Sequence, residues 1–222
     1  MLERIHVIGS GRVGAAVTGR LRECGLDLDS GDPELVLLCV PDGAIADVAS
    51  SVPVGPWVAH VSGATPLEAL DPHERRFGVH PLQTFTRARG PEQLDGAWAA
   101  VTAEKEEAAA VGAWLAETLG LRPFTLDDGA RTLYHAGAVF ASNYLVTLHR
   151  AASLLFESAG APPEALEPLM RRTIENEFEL TGPIARGDWA TVHAHLAAIR
   201  TERPEIETLY ETLAGATLAL AT

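Results

Sequence analysis

The chain reads as an α/β sheet domain followed by an all-helical segment, and three features carry that reading. Short segments in the first half are continuously apolar rather than alternating, the mark of strands buried on both faces of a parallel sheet. Helical patterns intervene between several of them. Beyond Asp127 the texture turns to helix alone, which predicts two domains, residues 1–126 and residues 127–222.

The elements follow in order. RIHVIG (4–9) predicts the first strand, and residues 12–24 the helix behind it. ELVLLCV (34–40), WVAHVSG (57–63), RFGVHP (76–81) and WAAVTA (98–103) read as further strands, with LRPFTL (121–126) as a sixth. Short helices are expected near 43–51 and 104–119. The second of these is acid-rich in its first turn (EKEE) and stops at Gly120, as helix-dipole and C-cap preferences require. A long helix from about Asp128 to Ala159 ends at GAPPE, and others follow near 163–181, 188–200 and 203–220.

Between the first strand and first helix stands G-x-G-x-x-G, formed by Gly9, Gly11 and Gly14. The first glycine permits a tight turn and the second a close backbone approach to a pyrophosphate. The third lets the helix pack on the strand and aim its N-terminus at the phosphates. This is the opening of a dinucleotide-binding, Rossmann-type unit. The loop residues Gly9, Ser10, Gly11, Arg12, Val13 and Gly14, with Val40, Pro41 and Ser62 at later strand ends, form the expected cofactor surface for NAD(P).

What should follow is a second strand bearing the acid that holds the adenosine ribose, about twenty residues on. Asp29 fits by counting, but only about ten residues, Gly25 to Glu34, precede the next apolar strand. A parallel crossover takes about a dozen residues. The expectation is therefore a truncated sheet in which the strand-two region is deleted, with the ribose and adenine subsites missing or rebuilt. Asp27, Asp29 and Asp32 place negative charge beside this gap, which disfavours the 2′-phosphate of NADP.

Composition narrows the function classes. Acids outnumber bases 30 to 17, giving a net charge of −13, which argues against nucleic acid or an anionic membrane surface as partner. No secretory signal pattern opens the chain and no apolar run reaches membrane-span length, so a cytoplasmic protein is expected. Cys24 and Cys39 lack metal-type spacing and read as buried reduced thiols.

The strand ends VPD (40–42), VSG (61–63) and VHP (79–81) bring Pro41, Ser62, His80 and Gln83 toward one cleft. His80 precedes a proline, which holds its backbone extended. It reads as a hydrogen-bond or proton donor, the alternative being a loop histidine bonded to backbone. On the long helix, Arg131, His135, Ser142 and His149 fall at offsets 0, 4, 11 and 18, and at about 100° per residue they share one polar stripe bordered by Asn143. Tyr134 reads either as part of that site or as a packing residue with a bonded hydroxyl. His193 and His195 lie two apart on a helix and make no metal pair.

The motifs VPDGAI, HVSGATPLEAL, GVHPLQTF, YHAGAVFASNYLVTL and LTGPIARGD resemble those of bacterial Rossmann-like oxidoreductases with a C-terminal helical domain of unknown function. That group sits in the 6-phosphogluconate-dehydrogenase-like superfamily, with pyrroline-carboxylate reductase and prephenate dehydrogenase as distant relatives. Some members are implicated as an alternative, NADPH-dependent ketopantoate reductase. The resemblance implies an NAD(P)-dependent reductase of a small 2-oxo acid. His80 or His135 would protonate the oxygen, Arg131 would hold the carboxylate, and Ser142 and Asn143 would orient the substrate. It implies a homodimer built on the helical domain. Members of the group tend to carry lysine where this chain has Arg131, and a fuller segment before VPD. The alternative is a non-catalytic descendant that binds a nucleotide, phosphate or metabolite.

Overall fold

The computed structural model describes residues 2–221. Six strands form one sheet in sequential order: β1 (Ile5–Ile8), β2 (Leu35–Leu38), β3 (Trp57–His60), β4 (Arg76–Leu82), β5 (Trp98–Thr102) and β6 (Arg122–Thr125). β1 to β4 are mutually parallel, so their carboxyl ends share one edge of the sheet. β5 runs antiparallel to β4, with Val79 opposite Val101, and β6 follows β5 in parallel. The all-parallel expectation fails at that step because residues 83–97 hold no crossover helix, so the chain doubles back on β4.

Apolar strands are covered on both faces, as their continuous hydrophobicity requires. One face packs Ile5, Leu35, Leu37 and Phe77 against α1 (Arg12–Glu23) and α3 (Glu106–Thr118), through Val17, Leu21 and Leu115. The other packs Val36, Leu38 and Val58 against Ile45 and Ala49 of α2 (Ile45–Ser51).

The shortened segment leaves a trace. Asp27 forms a single parallel bridge with Arg4: its N–H donates to Glu3 O and its carbonyl accepts from Ile5 N, both at 2.9 Å. Arg4 O, on the opposite side of β1, accepts from Glu34 N at 2.9 Å at the start of β2. The second strand is thus reduced to one residue at the outer edge of β1. The deletion holds, with Asp27 as its vestige.

By packing, the chain divides into Met1–Phe140 and Ala141–Thr222, so the first unit runs past the sequence-based boundary at 126. After the sheet come α4 (Arg131–Val139), α5 (Leu145–Ser158), α6 (Leu166–Glu175), α7 (Trp189–Glu202) and α8 (Glu207–Ala221). The single long helix expected from 128 to 159 is interrupted by a π turn at Phe140–Tyr144. α6 stops short of 181, since Glu177 and Phe178 adopt positive φ angles of 55° and 60°. Among the described residues no helix is long and apolar enough to cross a membrane. Cys39 is buried as expected, whereas Cys24 is exposed and donates weakly to Thr118 O, and both are free.

Candidate active site

Two parts of the first unit meet the requirements of a site, and both lie at the carboxyl edge of β1 to β4. The first is the glycine loop after β1. Gly9 has φ +115°, and a Cβ there would lie 2.3 Å from Cys39 O; a Cβ on Gly14 would lie 2.0 Å from Gly9 O. These two glycines let α1 and β2 close on the turn. Gly11 differs. It is the N-cap of α1, no side chain caps that end, and a Cβ there would meet nothing within 4 Å. Open space therefore adjoins the uncapped amides of a twelve-residue helix, which fits a pyrophosphate. Ser10 is exposed beside it, and Arg12 and Val13 begin the helix.

The adenosine end does not fit in the same way. Asp27 Oδ1 turns back to accept from the amides of Asp29 and Ser30, at 3.0 and 3.1 Å. Asp29 is exposed in the turn and belongs to no strand. A cleft of about 730 Å³ opens over the even-numbered face of β1, lined by Arg4, His6, Ile8 and Val36 with Arg75 and the 51–56 loop. His60, His80 and His135 do not line it.

That second part gathers around Gly63, just beyond β3. His60 ends β3 and is wholly buried; its Nδ1 accepts from Ser62 N at 3.2 Å. Burial, with the Arg131 charge nearby, pulls its pKa down to about 3. Ser62 is a staple of the loop: its hydroxyl donates to Thr65 Oγ1 at 2.9 Å and accepts from Ala64 N and Thr65 N. The Ser62 hydroxyl, expected to face a cofactor, is spent on this turn. Val40 is half-buried, and Pro41 and Asp42 are exposed at the end of VPD.

His80, on β4, shares a 2.7 Å hydrogen bond with the Tyr134 hydroxyl through Nδ1. The His80 ring also meets Tyr134 and His135 edge-on, with centroids at 5.5 and 6.1 Å. Burial, then the neighbouring His135 and Arg131, lower its pKa to about 4, so it is neutral at physiological pH. Burial raises Tyr134 to about 12. A Cβ on Gly63 would lie 2.8 Å from His135 Cδ2 and 2.9 Å from His80 Nε2, so glycine alone lets both rings approach the loop. Sequence reasoning placed His80 and His135 here and left Tyr134 open; its adjacency to His135 was the available signal. Gln83, also expected in the cleft, donates instead to Gln93 O at 3.1 Å.

Arg131 stands behind this cluster and is not its exposed grip. Its side chain is 1% exposed; Nη2 donates to Ser62 O, and Nε lies 3.9 Å from Asp128 Oδ1. Asp128 in turn accepts from Leu67 N at 3.1 and 3.2 Å. Nε and Nη1 have no hydrogen-bond partner, and burial lowers the guanidinium pKa. The expected carboxylate grip is therefore built into the wall of the site. Arginine stays charged there and biases the neighbouring His60 and His80 toward neutrality.

Ser142 and Asn143 fall in the second unit, where the Ser142 hydroxyl donates to Asn143 Oδ1 at 3.2 Å. The π turn at Phe140–Tyr144 breaks the constant step of about 100° per residue on which the polar stripe to Ser142 and His149 rested. Arg131 and His135, both on α4, keep that spacing.

Comparison with known proteins follows the fold. A putative NADP oxidoreductase from Bacteroides fragilis is 22% identical, with a TM-score of 0.82 and 98% of each chain covered. A reductive aminase from Aspergillus terreus, solved with NADPH, is 15% identical with a TM-score of 0.70, over 98% of this chain and 93% of that one. A 1-pyrroline-5-carboxylate reductase from Streptococcus pyogenes is 15% identical with a TM-score of 0.62, over 98% and 97%. At these identities the likeness is one of fold. No curated protein sequence matches. Residues 97–217 match the family described as a domain of unknown function, DUF2520, and with more than half its length inside that match the chain belongs to this family.

Proposed function

We propose that this protein is an NAD(P)-dependent oxidoreductase that reduces the carbonyl of a small 2-oxo acid, ketopantoate being the representative substrate. The observation that carries the reading is the His80–Tyr134–His135 cluster over Gly63, on the same sheet edge as the glycine loop after β1. The loop residues Gly9–Gly14 would hold the pyrophosphate. A bound nicotinamide supplies the hydride. Neutral His80 offers an N–H to the substrate oxygen, a hydrogen bond that strengthens as negative charge develops there.

Titration of the full chain with NADH, NADPH and ADP-ribose, followed by a turnover screen of 2-oxo acids, tests this reading. Micromolar binding of a reduced nicotinamide, much weaker binding of ADP-ribose and measurable turnover are expected. Absent binding of all three overturns it. A second reading, a non-catalytic fold that binds a phosphate-bearing metabolite, is supported by one observation, the reduction of the second strand to Asp27. Phosphate or ADP-ribose binding without turnover would favour it.

The proposed partner is a second copy. Among the described residues of the second unit (141–222) the buried apolar side chains are Leu166, Val192, Ile199 and Ile206, while Val146, Leu169, Phe178 and Leu220 stand exposed. A unit of that length needs more covered apolar surface than this. Light scattering should return twice the 23.6 kDa chain mass. The free thiols Cys24 and Cys39 suit the reducing cytoplasm.

A further inference from the structure

A neutral imidazole carries one N–H, and the nitrogen that bears it is set by the partner of the other. The partner of His80 Nδ1 is the Tyr134 hydroxyl, 2.7 Å away. Tyr134 is held on two sides, edge-on to His80 at 85° and against Phe124 of β6 at a centroid distance of 6.0 Å. The other ring nitrogen, Nε2, looks toward the missing side chain of Gly63, where His135 Cδ2 also arrives. Two rings and a glycine thus leave one polar atom of His80 available on the substrate side, while the phenol occupies the other.

We infer that Tyr134 is a positioning residue that fixes His80 as an Nε2–H donor over Gly63 and restores that proton after each reduction. The second half rests on the oxidoreductase reading. As hydride from a reduced nicotinamide reaches the carbonyl carbon, the C–O π pair becomes an alkoxide. The Nε2–H bond breaks and its proton goes to that oxygen; the Tyr134 O–H bond breaks and its proton goes to Nδ1. The imidazole stays neutral, and the charge rests on the phenolate until solvent protonates Nε2 and the Nδ1 proton goes back to Tyr134, which restores the starting tautomer. Burial raises the Tyr134 pKa, and the charge of Arg131, one helical turn before it, offsets part of that rise. Arginine at 131 therefore has a role that needs no contact with substrate.

The test uses the full chain with ¹⁵N-labelled histidine, His80 being assigned by loss of its signals in His80→Gln. Besides Tyr134, the charged and titratable groups that act on His80 are His135, Arg131 and Asp42, and His80 also interacts electrostatically with buried His60 behind it. In the wild type, long-range ¹H–¹⁵N correlation from about pH 5 to 8 should show neutral His80 with its proton on Nε2. Tyr134→Phe keeps the ring and removes only the hydroxyl. It should mix the two tautomers and raise the His80 titration midpoint, because the phenol no longer stabilises the neutral form. A wild-type proton on Nδ1, or a tautomer unchanged in Tyr134→Phe, overturns the inference. With a turned-over 2-oxo acid, Tyr134→Phe should lower kcat about 100-fold with KM little changed. If the tautomer behaves as stated but no carbonyl is reduced, the positioning stands and the oxidoreductase reading and proton return both fall. If reduction proceeds in Tyr134→Phe at the wild-type rate, the proton return alone falls.

Discussion

Asp27 pairs with Arg4 on the far side of β1 from β2, through two backbone hydrogen bonds of 2.9 Å, and its carboxylate folds back onto Asp29 N and Ser30 N. The residue where a second strand would begin is thus a turn cap. Asp27→Ala should lower thermal stability slightly and leave NADH affinity within about 2-fold. A loss of about tenfold or more, the cost of a charged hydrogen bond, would show that Asp27 holds the ribose.

Gly11 and Gly14 separate cofactor binding from folding. Gly14→Ala would force a methyl to within 2.0 Å of the Gly9 carbonyl and should abolish the folded state or cost several kcal/mol, on the order expected for severe overpacking. Gly11→Ala meets nothing within 4 Å and should keep the melting temperature, while placing a methyl where phosphate oxygens would approach. Calorimetry on Gly11→Ala should show NADPH affinity reduced by about tenfold or more, roughly 1.4 kcal/mol; unchanged affinity would remove the loop from the binding surface.

Gly63→Ala tests the floor of the histidine cluster. Its methyl would lie within 2.9 Å of both the His80 and His135 rings, which can shift only by giving up their mutual geometry. Circular dichroism should show a folded protein, and turnover should fall by about 10- to 100-fold, the loss expected of a misplaced reacting group. Full turnover would place the reaction elsewhere.

Acid should destabilise the protein through His60 and His80. Both titrate lower in the folded state than in the unfolded chain, at about 3 and about 4 against an ordinary value near 6.5. Folding therefore excludes protons. The stability this confers is full above pH about 6.5 and is lost as pH falls toward those folded values. Each histidine adds a slope of about 1.4 kcal/mol per pH unit across its window. Urea melts of His60→Gln between about pH 6 and 4 should show that slope reduced by about one proton relative to wild type. An unchanged slope would mean that His60 is charged in the fold.

The elements were legible because they rest on short-range chemistry. Continuous apolar runs located β1 to β6, glycine spacing located the turn before α1, and the scarcity of residues between Gly25 and Glu34 foretold the lost strand. His80 and His135 were legible as polar residues at a strand end and on a helix face. Tyr134 was not resolved, since adjacency on a helix does not say which residue 54 positions away will meet its hydroxyl.

By itself, then, the sequence determined the α/β-then-helical order, the glycine loop and the truncation, all of which follow from local periodicity and chain length. Tertiary packing decided the rest: the reversal of β5, the single bridge at Asp27, the burial of Arg131 behind Ser62, and the π turn that interrupts the polar stripe. Each of these depends on which distant backbone or side chain satisfies a polar group, and burial fixes that partner only once the chain has closed on itself.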